Sequence, residues 1–236
     1  MTSAPARPVR VITDPAEVAT WISARKEFAS VERELVNMIA DSGALLSGFF
    51  HLLSGQHSTM FLRYSTVASL LENNRRVAEL LAKQIEDSGV HFERILSPDT
   101  AGMNLAYELA RLLHVQRLVA KTNARRQPDA ILNGIALEPD QRVLLVNDLI
   151  TSGSGMANMR ALVESVHHGV VVGRTVFALR QSTPSPRDPA PTNEPMFALV
   201  DLNVETATYG TPVSLDFSQC EVCRETEGAI YSGDIN

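Results

Sequence analysis

The period of apolar and polar positions changes several times along this chain. Val143-Leu144-Leu145-Val146 is apolar without alternation, which predicts a strand buried on both faces, as in a parallel sheet. Asn147-Asp148, Leu149-Ile150 and the small-residue stretch Thr151-Ser152-Gly153-Ser154-Gly155 follow directly. The spacing then turns helical through Met156, Met159, Leu162, Val163 and Val166, with Gly169 expected to close the helix. A second helix is predicted over Leu70–Ser88, where Val77, Leu80, Leu81 and Ile85 share one face and Ser88-Gly89 ends it. Val90–Leu96 reads as a strand, Ser97–Gly102 as a loop, and Met103–Leu113 as a helix carrying Leu105, Leu109 and Leu112 on one side. Val115–Ala120, Val170–Leu179 and Met196–Val204 read as further strands. Strands alternating with helices predict an α/β fold with a parallel sheet.

The N-terminal third is patterned differently. Residues 1–13 read as an arm, and Asp14-Pro15 as the start of a helix, since Asp caps well and Pro suits the first helical position. Val18, Trp21, Ile22, Phe28, Val31, Leu35, Met38 and Ile39 extend that helical pattern to about Asp41, with Trp21 as a packing anchor and Ser42-Gly43 as the stop. Ala44–Arg63 holds two apolar runs around Ser54-Gly55 and predicts a hairpin. The expected division is an arm and helix over residues 1–34 and one domain over residues 35–236. Lys121–Gly134 is polar and basic, either a solvated loop or a lid over an anionic ligand. Gln181–Pro195 carries five prolines and reads as an exposed connection, and Thr206–Asn236 as an irregular tail.

Composition narrows the partners. The chain has 236 residues, is 44% hydrophobic and carries a formal net charge of −6. It can bury a sizeable core, and without a long basic run nucleic acid is not the expected partner. Met1–Arg10 lacks the apolar core of a signal peptide, and no stretch reaches membrane-spanning length, so the expectation is a cytoplasmic protein with no membrane partner. Cys220-Glu221-Val222-Cys223 supplies two thiols where a closed zinc site takes four ligands. Ordinary packing is the first reading of that pair, with zinc shared across subunits and a redox pair as the others. His51 and His57 have no neighbours at metal-ligand spacing and read as structural or solvent-facing.

Candidate chemistry gathers after the buried strand. Strand, acidic edge, hydroxyl-and-glycine loop and helix make a phosphate-binding arrangement: glycines admit the backbone, hydroxyls and N–H groups donate, and the helix N-terminus favours an anion. The loop Thr100-Ala101-Gly102 should sit at the C-terminal edge of the same sheet, where open α/β sheets bind ligands. Lys121, Arg125 and Arg126 are the densest positive cluster near it.

Asn147-Asp148-Leu149-Ile150-Thr151-Ser152-Gly153-Ser154 resembles the phosphoribosyl pyrophosphate loop of the type I phosphoribosyltransferases. Further stretches narrow the resemblance to the orotate phosphoribosyltransferase family. These are Phe50-His51-Leu52-Leu53-Ser54-Gly55-Gln56-His57-Ser58, Thr100–Ala106, Ala178-Leu179-Arg180-Gln181, Met196–Leu202 and the Cys220–Arg224 tail, so that the likeness spans roughly residues 35–230. It implies a parallel sheet flanked by helices, with a small hood of N-terminal elements over the site, and a homodimer. It implies transfer of phosphoribosyl from phosphoribosyl pyrophosphate to orotate, with Mg²⁺ carried by the pyrophosphate compound. It gives Thr151, Ser152, Gly153, Ser154 and Gly155 the 5-phosphate, and Asp148 with Asn147 the ribose hydroxyls. Lys121, Arg125 or Arg126 and the loop Thr100-Ala101-Gly102 take the pyrophosphate, and Arg180 the orotate carboxylate; Asp148 and Lys121 are the catalytic candidates. The sequence departs from the family pattern at Asn147, which stands where the first acid is usual, and at Leu53 and Gln56, where a Lys is usual. The departures leave a second reading open, a protein of the same fold that binds phosphoribosyl pyrophosphate or a nucleotide without turnover, and a third is a phosphoribosyltransferase for another base, uracil or a purine.

Overall fold

The computed structural model describes residues 9–52, 57–123, 128–132, 135–180, 194–203 and 230–231. In chain order the elements are β1 (Arg10–Ile12), α1 (Pro15–Trp21), β2 (Ile22–Ala24), a 3₁₀ segment (Lys26–Val31), α2 (Glu32–Ser42), β3 (Leu45–His51), β4 (His57–Leu62), α3 (Tyr64–Ser69), α4 (Leu71–Ser88), β5 (Arg94–Pro98), α5 (Met103–Leu112), β6 (Gln116–Thr122), β7 (Pro128–Ile131), β8 (Arg142–Val146), β9 (Leu149–Ile150), α6 (Ser154–Ala161), a π-helical turn (Leu162–Val166), β10 (Val170–Arg180), β11 (Met196–Leu202) and β12 (Ile230–Tyr231).

An eight-stranded sheet runs in the order β2-β11-β10-β8-β5-β6-β7, with β9 added beside β10. β11, β10, β8, β5 and β6 are mutually parallel, and the edge strands β2 and β7 are antiparallel to their neighbours. β8 lies at the centre. Leu144 and Val146 face the larger core with α4 and α5, while Val143 and Leu145 face the second core with α6, and all four are fully buried. Each such side chain contributes roughly 1.5–3 kcal/mol by leaving water, so the uninterrupted run in the sequence is the signature of helices on both faces.

The crossovers diverge at this strand. The chain leaves β5 for α5 on one face and β8 for α6 on the other. The crevice between the ends of β5 and β8 is thus a topological switch point, the position where open α/β sheets take ligands. Over this edge lies a four-stranded sheet in which β3 is paired by β1, β4 and β12. The expected hood is therefore present, and its fourth strand comes from the far end of the chain rather than from the N-terminal third.

The tail expected to be irregular over Thr206–Asn236 contributes a strand at Ile230–Tyr231, and three further expectations need correction. The helical region predicted over residues 14–41 is broken: α1 stops at Trp21, and Ile22–Ala24 extends along the edge of β11, with Ile22 opposite Leu202. Pairing with an otherwise open edge satisfies backbone groups and buries Ile22, which outweighs the local helical spacing. The polar stretch Lys121–Gly134 is not one loop, because β6 continues through Lys121 to Thr122 and Pro128–Ile131 returns antiparallel to it. Gly169 is not the left-handed residue after the last helix; His168 adopts that conformation at φ 57°. Boundaries elsewhere shift by a few residues, β5 starting at Arg94 rather than Val90. Val18, Ile22 and Phe28 belong to the same core cluster as Leu105 and Leu199, so the residues before position 35 pack into the main body.

Candidate active site

β8 delivers Asn147-Asp148 to the switch point, and β10 holds the pair there. The Asn147 N–H donates to the Thr175 carbonyl at 3.0 Å, and the Asp148 carbonyl accepts from Phe177 N–H at 2.9 Å and Ala178 N–H at 3.2 Å. Both side chains fold back on the chain. Asn147 Oδ1 accepts from the Asp148 N–H at 2.9 Å, and Asp148 Oδ1 accepts from the Leu149 N–H at 2.7 Å. Burial pushes the Asp148 carboxyl up to about 6, against the pull of the Leu149 and Asp148 backbone N–H groups.

That displacement has a stability consequence. The unfolded carboxyl titrates near 3.8, so between about pH 4 and 6 the folded state holds a proton that the unfolded state has lost. Stability contributed at this site falls as pH rises through that window, and the full penalty, up to about 3 kcal/mol, is present above it. Asp148→Asn should therefore unfold at higher urea than the wild type at pH 7.5 and at nearly the same urea at pH 4. Equal midpoints at both values would show that the carboxyl is not destabilised by burial.

The phosphate-type loop follows. Gly153 caps α6 with φ 75°, and Ser152 Oγ lies 3.0 Å from Ser154 Oγ. Thr151, Ser152, Ser154 and Gly155 are half-buried and Gly153 is buried, so the backbone at the helix N-terminus and two hydroxyls face one small region. The Asn147 amide points the same way, since its Nδ2 would lie 3.7 Å from a Cβ on Gly155.

The second loop meets the first backbone to backbone. Gly102 caps α5 with φ 71°, and a Cβ there would sit 2.6 Å from Asn147 Cα and 2.8 Å from Asp148 N. Asp99, three residues earlier, accepts from the Thr122 N–H at 3.2 Å and from Thr122 Oγ1 at 2.5 Å. Thr100-Ala101-Gly102 is thereby held between β8 and the end of β6. Lys121 precedes Thr122 on β6 and is exposed. Arg125, Arg126, the Ser54-Gly55 turn and the cysteine pair lie outside the described residues, as do the side chains of His51 and His57.

Arg180 ends β10 beneath the hood and is 6% exposed. Its Nη2 donates to the Met60 carbonyl of β4 at 2.9 Å, and Ser58 Oγ donates to the same carbonyl at 2.6 Å. Nε and Nη1 are buried and have no hydrogen-bond partner among the described residues. Burial lowers the guanidinium to about 10, which still leaves it charged at neutral pH. A buried cation with two unanswered donors is costly unless a ligand supplies the acceptor. Sequence reasoning missed Met60, because a carbonyl carries no residue-type signal. It also missed Tyr64 and Asn74, although Asn74 falls on the apolar face of α4 with Val77, Ala78 and Leu81, and a polar residue on such a face is a visible anomaly.

No family model matches the chain. A protein named orotate phosphoribosyltransferase from a Nitratiruptor species is 30% identical over 209 residues, covering 85% of this chain and 98% of its own. The chain belongs to the orotate phosphoribosyltransferase family. A relative of the same name from Campylobacter jejuni is 31% identical over 215 residues, covering 84% of this chain and 97% of that one. Among solved structures, the orotate phosphoribosyltransferase from Aeropyrum pernix superposes with a TM-score of 0.55 at 20% identity over 70% of this chain and 90% of that chain. The phosphoribosyltransferase fold expected from the sequence is thus the fold observed, a central sheet flanked by helices.

Proposed function

We propose that this protein transfers phosphoribosyl from phosphoribosyl pyrophosphate to orotate, giving orotidine monophosphate and pyrophosphate in pyrimidine nucleotide synthesis. The observation that carries the reading is Arg180. Its Nε and Nη1, buried and unanswered among the described residues, are charged donors left for an anionic acceptor, which the orotate carboxylate would supply. Thr151–Gly155 would take the 5-phosphate, with the α6 N-terminus favouring its charge. Asp148, ionised above about pH 6, would accept from the ribose hydroxyls with Asn147 beside it. The loop Thr100-Ala101-Gly102 would flank the pyrophosphate, with Lys121, Arg125 and Arg126 as the cations that cover it. The reaction exchanges one C1 bond for another through an oxocarbenium-like state. The protein's part is to hold both partners in line and to stabilise the leaving pyrophosphate.

Mg²⁺ in this reading enters with the substrate. Among the described residues no three His, Cys, Asp or Glu stand together as a metal site, and the local donors are hard oxygens that suit an ion held chiefly by phosphate and ribose oxygens. Among the described residues no helix is long and apolar enough to cross a membrane. We place the protein in the cytoplasm as a homodimer. The direct test is orotate consumption, followed by absorbance with Mg²⁺ and phosphoribosyl pyrophosphate at saturation; no consumption would overturn the reading.

Asn147 favours a second reading, binding without turnover. Its amide stands where a carboxylate would add a charge-assisted hydrogen bond of about 1.5–3 kcal/mol. If that bond strengthens in the transition state, Asn147→Asp should raise kcat roughly 10- to 150-fold over the wild type. Calorimetric binding of phosphoribosyl pyrophosphate with no orotate turnover in either protein would establish the binding-only reading.

A further inference from the structure

Tyr64 and Asn74 lie outside the loops assigned to substrate, yet they join them. Tyr64 follows β4 and opens α3, and it is 2% exposed. Its ring packs on Phe177 with centroids 4.9 Å apart, and Phe177 is the residue whose N–H donates to the Asp148 carbonyl at 2.9 Å. Its hydroxyl donates to Asn74 Oδ1 at 2.8 Å, and Asn74 Nδ2 donates to the Asn104 carbonyl at 3.2 Å. Asn104 is the second residue of α5, two past the Gly102 that abuts Asn147-Asp148. One side chain therefore reaches the hood by its own backbone, Asp148 through Phe177, and the Thr100–Gly102 loop through Asn74.

Packing alone does not call for this pair. Asn74 is 5% exposed on a helix face otherwise made of Val77, Ala78 and Leu81. A Phe at 64 and a Leu at 74 would fill the space without burying polar groups. What the polar pair adds is direction, because two hydrogen bonds fix where the first turn of α5 stands relative to Phe177. Burial above all, then the Asp148 and Glu108 carboxylates, hold the Tyr64 hydroxyl protonated well above the ordinary phenol range, so it remains a donor.

We propose that Tyr64, acting through Asn74 and Phe177, is a positioning residue that sets the gap between the Thr100–Gly102 loop and Asp148, and so the seat of the pyrophosphate end of the sugar substrate. The inference rests on the phosphoribosyl-transfer reading. The double variant Tyr64→Phe/Asn74→Leu removes both polar partners and keeps the heavy-atom outline apart from the hydroxyl oxygen, so it should melt near the wild-type temperature. Calorimetry with Mg²⁺ and phosphoribosyl pyrophosphate should give about tenfold weaker binding than the wild type. Under turnover, KM for that substrate should rise by a similar factor while KM for orotate stays within about twofold. Tyr64→Phe alone, which keeps the Asn74 bond to Asn104, should fall between the two. Unchanged affinity for phosphoribosyl pyrophosphate in the folded double variant would overturn the proposal and leave the transfer reading intact. An equal rise in both KM values would reduce Tyr64 to core packing and overturn it as well. Failure of the wild type to bind phosphoribosyl pyrophosphate would overturn the transfer reading, and the positioning role with it.

Discussion

Arg180→Met should lower kcat/KM for orotate by roughly 100- to 4000-fold while leaving the affinity for phosphoribosyl pyrophosphate within about twofold. Removing one partner of a buried, hydrogen-bonded charge pair costs about 3–5 kcal/mol when the other charge must still be buried, and about 1.4 kcal/mol is tenfold in rate. The loss should fall on the base because Arg180 ends β10 under the hood, bound to Met60, whereas the phosphate-type loop belongs to β8 and α6. The unliganded variant should remain folded. Methionine keeps the apolar stem, the Met60 carbonyl still accepts from Ser58 Oγ at 2.6 Å, and the cost of burying a guanidinium with two unanswered nitrogens disappears. Steady-state kinetics with each substrate varied in turn and a melting curve decide it. An unaltered orotate KM would remove Arg180 from the base site.

Gly102→Ala should be the most damaging alanine substitution among the described glycines. At φ 71° an alanine costs about 1–2 kcal/mol in backbone conformation alone. Its Cβ would also lie 2.6 to 2.8 Å from backbone atoms of Asn147 and Asp148, which cannot swing aside as a side chain can. Forcing the loops apart adds about 1–3 kcal/mol or more. The sum, about 2–5 kcal/mol, predicts a melting temperature lower by roughly 5–15 °C for a chain of this size. Phosphoribosyl pyrophosphate binding should weaken in parallel, since the displaced residues are its proposed seat. Gly89→Ala is the control: its φ is 70°, but a Cβ there meets nothing within 4 Å. The difference between the two variants measures the close approach. Equal losses would show that the loops are free to separate.

Where a physical constraint acts along the chain, the sequence declared the structure. β8 was legible because burial on both faces leaves no polar position, and α4 because Val77, Leu81 and Ile85 must share a stripe. The turn from Thr151 to Gly155 into α6 was legible because glycine, hydroxyls and the start of a helical period fall in one short stretch. Where the constraint acts across the chain, the sequence was silent. β2 is three residues recruited by the edge of β11, and its helical neighbours disguise it. β7 hides in a polar stretch because an edge strand needs few apolar side chains. Arg180 was placed by resemblance, but its bond to Met60 and its two open donors are facts of tertiary packing. Lys121 was expected in a loop and stands on a strand, beside the Thr122 that clasps Asp99.

β12 carries one more consequence. Ile230 pairs with Phe50, so the last strand of the hood joins a partner 180 positions earlier in the chain. During synthesis from the N-terminus, every strand of the large sheet and three strands of the hood are made before Ile230 exists. A nascent chain can therefore assemble its phosphate-type loop and Arg180 while the sheet above them still has an open edge along β3. Among the described elements, completion of that edge is the last pairing that vectorial synthesis allows, so its timing is set by the ribosome.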